Sequence, residues 1–133
     1  MRLILAAFIL TIVGGPDAYG SEDRYRCEVE KFYGFEDAEF HRDDGSDLIG
    51  DRFAVDRSTG TISGFELNNE MAQQRLVLDR GSNKQAFKVL SIFQVYGPYH
   101  NVKYLYIEEF EQKAEKAFFA VSGSWLLTGH CTK

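Results

Sequence analysis

The chain has 133 residues, of which 44% are hydrophobic and 14% aromatic, and its formal net charge at pH 7 is −5. So many apolar and aromatic side chains predict a packed core and exclude a disordered chain. The negative balance argues against nucleic acid or an anionic membrane surface as the main partner, because both carry charge of the same sign.

The first twenty residues have the order of segments that is typical of a secretory signal peptide. A positive charge precedes an apolar run over 3–13, and the small residues Ala18 and Gly20 lie where a signal peptidase cleaves. The run is shorter than the roughly 20 apolar residues that span a bilayer, which argues against a membrane anchor. We predict a signal peptide over 1–20, a single β domain over 21–133 without a membrane span, and a periplasmic or extracellular location.

Two cysteines, Cys27 and Cys131, lie near the two ends of the expected mature chain. An exported protein with an even number of cysteines is expected to pair them. A metal site that combines them with His130 is the alternative, but the chain has no paired-ligand spacing such as C-x-x-C. We therefore predict a Cys27–Cys131 disulfide and neither a metal ion nor a cofactor.

The first half of the chain predicts a strand over 24–33, a short strand around 38–41 within an acidic loop, and a hairpin. Alternation over 24–33 favours a half-buried strand, and an acidic, glycine-containing loop follows over 34–51. The segment 53–65 predicts a hairpin in which Asp56 caps the turn and Gly60 adopts the left-handed conformation.

The second half predicts a series of hairpins. A strand over 75–79 turns into another that starts at 86 and extends to about 96, where Gly97 and Pro98 break it. Aromatic and β-branched residues then predict strands over 102–110, 117–121 and 124–128.

Seven or eight short antiparallel strands joined by consecutive hairpins predict an all-β meander that forms a small barrel. A β-sandwich is one alternative. An α+β fold with a helix near 107–118 is another, because Ile107, Phe110, Ala114 and Phe118 also fit helical spacing.

The hairpin over 53–64 reads F-x-V-D-R-x-T-G-x-I-x-G, and it is followed by L-D-R-G-S at 78–82 and G-x-C at 129–131. This combination resembles a group of uncharacterised small exported bacterial proteins, over most of the mature chain. The resemblance implies no activity and no functional residues.

Sequence motifs give little support to catalysis or calcium binding. The chain has no G-x-S-x-G motif and no glycine-rich phosphate loop. Its carboxylates are abundant, but their number does not indicate the spacing of a glycosidase pair. The acidic loop over 36–51 offers oxygen ligands but does not fit the D-x-[DN]-x-[DN]-G calcium motif, so we interpret it as solvated. We predict a non-catalytic binding or interaction domain. The alternatives are a small hydrolytic enzyme with a carboxylate-based site and a structural envelope protein.

Three tyrosines are the candidate ligand-binding residues. If 97–101 forms a turn, alternation places Tyr96, Tyr104 and Tyr106 on one face and Leu105 on the other. One face must line the core, so the tyrosine face is either a second buried layer or the lining of a ligand cavity or partner surface. The expected partner is an unknown small molecule or protein, and the sequence leaves the oligomeric state open.

Overall fold

The computed structural model describes residues 23–133, which form a single antiparallel sheet and contain no helix. The strands are β1 (Arg24–Glu36), β2 (Glu39–Arg42), β3 (Arg52–Asp56), β4 (Ile62–Ser63), β5 (Gln74–Arg80), β6 (Phe87–Gln94), β7 (His100–Ile107), β8 (Lys116–Ser122) and β9 (Trp125–Thr132). The signal peptide predicted over 1–20 lies outside the described residues.

Neighbouring strands follow the order β4-β3-β1-β9-β8-β7-β6-β5, and β2 pairs with the second half of β1. Strands β5 to β9 form a meander, β9 returns beside β1, and the sheet curls into a half-barrel. The all-β meander is confirmed, with nine strands because β2 and the two-residue β4 are separate. The alternative helix near 107–118 is wrong, since Ile107 of β7 pairs directly with Phe118 of β8.

The core lies on the concave side of the sheet. Along β1, Tyr25, Cys27 and Val29 are buried and alternate with exposed charged residues. A bulge between Val29 and Lys31 then shifts the pairing of β1 with β9, so that Phe32 rather than Lys31 points back into the core. The bulge therefore extends the apolar interior along β1 as far as Phe32.

The predicted disulfide joins the first strand to the last. Cys27 lies directly opposite Cys131 in the β1–β9 ladder, the two Cα atoms are 4.0 Å apart, and the bond closes a sequence separation of 104 residues. Close approach of β1 and β9 also requires Gly129, because a Cβ atom there would lie 2.0 Å from the carbonyl oxygen of Glu28. The pairing predicted from the sequence is confirmed.

The two edges of the curled sheet are joined by side chains rather than by a strand ladder. Asn69 is fully buried; its Oδ1 accepts a hydrogen bond from the Ile62 amide at 2.7 Å, and its Nδ2 donates to the Gly60 carbonyl at 2.9 Å and to Ser91 Oγ at 2.8 Å. Arg75 of β5 donates from Nε to a carbonyl of the β3–β4 turn at 3.2 Å. These bonds link β4 at one edge to β5 and β6 at the other.

Candidate binding face

The tyrosines of β7 lie on the convex side of the sheet. Tyr104 and Tyr106 are half-buried there, whereas Leu105 and Ile107 between and beyond them are buried in the core. The alternation inferred from the sequence therefore holds within β7. That these tyrosines bind a ligand stays a prediction.

Tyr96 does not lie with the other two tyrosines on the strand. The turn expected over 97–101 would pair Tyr96 with Val102. That register is wrong, because Val102 pairs with Ile92 and the strand pairing ends at Gln94 and His100. The pairing partner of Val102 thus lies four residues earlier than expected, and the β6–β7 turn over 95–99 begins two residues earlier than expected. Gly97 and Pro98 occupy its middle rather than its start, and Tyr96 is 80% exposed in the turn. An even shift of register preserves the face of each strand residue, which is why Tyr104 and Tyr106 were placed correctly.

A row of apolar side chains crosses the convex face from β5 to β1. Each member lies directly opposite the next in the strand ladders, and we call the row the outer belt: Leu76, Leu90, Tyr104, Val121, Leu126 and Tyr33. Leu76 is 45% exposed and the other members are half-buried. In the described part of the chain, none of them belongs to the core cluster. The outer belt is therefore a continuous apolar strip on the outside of the sheet.

An aromatic cluster lies beside the centre of the outer belt. Phe119 is directly opposite Tyr106, and their rings stack with centroids 4.8 Å apart and an interplanar angle of 19°. Phe119 also approaches Tyr104, with ring centroids 5.9 Å apart, and Lys88 Nζ lies 6.0 Å above the Tyr106 ring. Burial, and secondarily the neighbouring Tyr106, raises the pKa of Tyr104. The cluster presents apolar area with polar tips, the combination that is enriched in interfaces.

Phe119 was not identified from the sequence. The only signal is its position in the run Phe118-Phe119-Ala120-Val121, in which alternation requires one phenylalanine inside and one outside. Phe118 is buried and Phe119 is 36% exposed. Since both residues are phenylalanine, residue type gives no sign of which one faces the core.

One groove adjoins the aromatic cluster, and a second, larger groove lies beside the first. One, of about 330 Å³, lies between Tyr106, Phe119 and His130, and the other, of about 600 Å³, contains Arg26, Glu28, Glu30, Arg52, Glu115 and His130. Glu30 and His130 line both grooves, and Glu30 Oε1 is hydrogen-bonded to His130 Nδ1 at 2.7 Å. The apolar face is therefore continuous with a groove of mixed charge.

A polar cluster of Tyr25, Glu109 and Lys133 lies at one end of the core. Tyr25 is fully buried and donates its hydroxyl to Glu109 Oε2 at 2.5 Å; Lys133 forms an ion pair with the other carboxylate oxygen. Burial and the bond to Glu109 raise the pKa of Tyr25. Burial alone would raise the pKa of Glu109, but hydrogen bonds from Lys133 and Tyr25 outweigh it and lower the pKa. The cluster satisfies buried polar groups at one end of the core.

The acidic loop over 34–51 contains the exposed tip of the β1–β2 hairpin and the segment that leads from β2 to β3. Phe35 of β1 lies opposite Phe40 of β2, with ring centroids 5.0 Å apart, and both are about half exposed. Asp44 pairs with Arg42 at 2.6 Å, and Asp43 Oδ1 accepts a hydrogen bond from a backbone amide two residues later. Within residues 23–133, no group of three or more His, Cys, Asp or Glu side chains is arranged to hold a metal ion.

Comparisons of the chain with protein-family models, with curated proteins and with solved structures found no match. Over residues 23–133, the structure contains no helix that is long and apolar enough to cross a membrane. The buried disulfide is compatible with an oxidising compartment, in which such bonds persist.

Proposed function

We propose that this protein is a small, non-catalytic interaction domain that recognises its partner through the outer belt and the adjoining aromatic cluster. The observation that carries the proposal is the position of Tyr104, Tyr106 and Phe119, whose rings pack together on the convex side, opposite the concave side that holds the core cluster. Exposed apolar strips of this extent on a soluble domain mark interaction surfaces.

The stability of two variants tests the proposal. If the tyrosines form a binding face, Tyr104→Ala and Tyr106→Ala lower the free energy of unfolding only slightly, because their rings remain partly in water. If they form a buried layer, each truncation costs about 3–5 kcal/mol, as aromatic-to-alanine changes in cores do. Core-like losses in both variants would refute the binding face.

A carboxylate-based hydrolytic site is the second candidate, and the larger groove favours it because Glu28, Glu30 and Glu115 converge there beside His130. However, Glu28 pairs with Arg52 at 2.9 Å, Glu30 pairs with His130, and both glutamate side chains are about half exposed. The general acids of glycosidases typically lie in apolar surroundings that favour the protonated form. These pairings support binding rather than catalysis.

The proposed site of action is the periplasm or the extracellular medium. The order of segments in 1–20 and the Cys27–Cys131 bond both support export. Mass spectrometry of protein recovered from an exporting host should find Ser21, within about two residues, at the amino terminus. Recovery of the intact Met1 form in the exported fraction would contradict the signal peptide.

A further inference from the structure

The two grooves beside the aromatic cluster are continuous across the convex side of the sheet, and we call them together the convex groove. They meet at Glu30 and His130, and from Phe119 on β8 to Ser63 on β4 the convex groove crosses four strand spacings, about 19 Å. Its two parts, of about 330 and 600 Å³, have the size of ligand sites but are open at the surface. The convex groove therefore suits a long polar ligand, because a small apolar one would remain largely in water.

Recognition in the convex groove depends on side chains rather than on the backbone. Its floor belongs mainly to β8, β9, β1 and β3, and each of these strands is paired on both sides where it forms the floor. An extended peptide typically binds a sheet by adding a strand to a free edge, and none of these four strands offers one there. The side chains that line the convex groove therefore define the ligand.

The charges that line the convex groove are nearly balanced. Three basic side chains and four carboxylates contribute: Arg26, Lys31 and Arg52, with Glu28, Glu30, Glu108 and Glu115. Arg52 pairs with Glu28 at 2.9 Å, and His130 is hydrogen-bonded to Glu30 at 2.7 Å, which holds these side chains in place. A charged ligand would meet repulsion as well as attraction along such a surface. A neutral ligand with many hydroxyl groups can instead donate to the carboxylates and accept from the basic groups.

An aromatic ring at one end of the convex groove supplies a platform for stacking. Phe119 lies between Tyr106 and Thr128 in the strand ladders. One face of the Phe119 ring stacks on Tyr106, with the centroids 4.8 Å apart, so the opposite face is directed towards Thr128 and the groove. The face of an aromatic ring is electron-rich, and the weakly positive C–H groups on one side of a sugar ring pack against it. Such stacking orients a sugar and leaves its hydroxyl groups free for the polar walls.

We propose that the convex groove binds a neutral oligosaccharide, with one sugar ring stacked on Phe119 and the following rings between the polar walls. This inference rests on the proposed function, because it names a ligand class for the part of the binding face that Tyr106 and Phe119 form. Glu30 and His130, where the two parts of the groove meet, form hydrogen bonds with hydroxyl groups of the bound chain.

The first test uses the β-linked hexasaccharides of glucose and of N-acetylglucosamine as probes, because their extended chains present flat ring faces. Calorimetric titration of the disulfide-bonded protein should show that at least one of them binds with a dissociation constant in the millimolar range or tighter. NMR spectra should show shifts of the Phe119 and His130 amide resonances on binding. Since the probes are neutral, higher salt should leave the affinity unchanged. A hexasaccharide of galacturonic acid, which carries carboxylates, should bind more weakly.

Variants of Phe119 test the stacking platform. Phe119→Ala should weaken binding about tenfold because the platform is lost, whereas Phe119→Trp keeps an aromatic face and should retain binding. Phe35→Ala is the matched control, because Phe35 is also an exposed phenylalanine packed on a second aromatic ring but lies on the β1–β2 hairpin, outside the groove. This variant should bind as the wild type does. Ala117→Arg places a long side chain in the groove and repeats the test if Phe119→Ala does not fold.

The outcomes separate this inference from the proposed function. Failure of both neutral probes to bind, or equal affinities of Phe119→Ala and the wild type, overturns the oligosaccharide site. Tighter binding of the galacturonic acid probe, with a strong dependence on salt, overturns it as well, because the ligand is then an anion. The proposed function fails on a different measurement, namely core-like losses of stability in Tyr104→Ala and Tyr106→Ala. It stands, with a partner of another class, if only the oligosaccharides fail to bind.

Discussion

Asn69 donates a hydrogen bond from Nδ2 to Ser91 Oγ at 2.8 Å, and both side chains are buried. Asn69 lies in the connection between β4 and β5, whereas Ser91 is in the middle of β6. The bond therefore joins the two edges of a sheet whose terminal strands do not pair. A single amide side chain replaces part of a strand ladder, and the stability of the curled sheet should depend on it.

We expect Asn69→Ala to lower the free energy of unfolding by about 2–4 kcal/mol, because it leaves the Ile62 amide, the Gly60 carbonyl and the Ser91 hydroxyl buried without their partner. Denaturant unfolding measures the loss. Asn83→Ala is the control; its side chain is exposed in the β5–β6 turn, so the change should stay within about 0.5 kcal/mol. An equally small effect of Asn69→Ala would show that Asn69 does not hold the two edges of the sheet together.

Truncation of the belt tyrosines should have modest effects on stability. Tyr104→Ala and Tyr106→Ala are each expected to cost about 1–1.5 kcal/mol, the value of cross-strand aromatic contacts on a half-exposed face. Leu105→Ala, on the opposite side of the same strand, should cost about 2–5 kcal/mol because its side chain is buried in the core. Thermal and denaturant unfolding under monomeric conditions compare the three variants. Equal losses on the two sides of β7 would mean that both sides are core.

Glu109 should make stability depend on acidic pH. Its pKa is lowered in the folded protein, because hydrogen bonds from Lys133 and Tyr25 outweigh the effect of burial. A lowered folded pKa contributes stability that is fully present above the unfolded value of about 4.3 and is lost as pH falls through the folded pKa. Glu109→Gln should therefore reduce stability near neutral pH and flatten its dependence below about pH 4.5. Glu115→Gln is the control, because Glu115 is exposed; it shows how much the loss of any one carboxylate changes the dependence of stability on pH.

The Cys27–Cys131 bond should leave no reactive thiol in unfolded, unreduced protein. Replacement of both cysteines by alanine should cost about 2–5 kcal/mol, as for native disulfides of small secreted domains. Thiol labelling and denaturant unfolding measure the two quantities. Two titratable thiols in freshly exported protein would show that the bond does not form during export.

Much of the strand pattern could be predicted from the local order of residues. Alternation along 24–33 and the turn residues of 53–65 predicted β1 and the β3–β4 hairpin, because a half-buried strand and a tight turn impose local requirements on residue type. The β6–β7 turn was placed too late. Gly97 and Pro98 are compatible with several positions in a turn, and only the pairing of Gln94 with His100 selects one.

Only part of the candidate surface could be predicted from the sequence. Alternation within one strand identified Tyr104 and Tyr106 as neighbours on one face, since that relationship depends only on the period of two. Leu76, Val121 and Leu126 come from other strands, and they join Tyr104 in one belt only through the registers of the ladders. Pairing register depends on long-range contacts, which residue order along a single strand does not contain.

The sequence by itself determined the fold class, the disulfide partners and the tyrosine face of β7, because strand alternation, the count of two cysteines and turn chemistry are local or compositional properties. The tertiary structure alone decided which edges meet, how Asn69 joins them and which apolar residues share the convex face. The physical reason is that sheet curvature and ladder register follow from packing between residues far apart in the chain, such as Cys27 with Cys131 and Asn69 with Ser91.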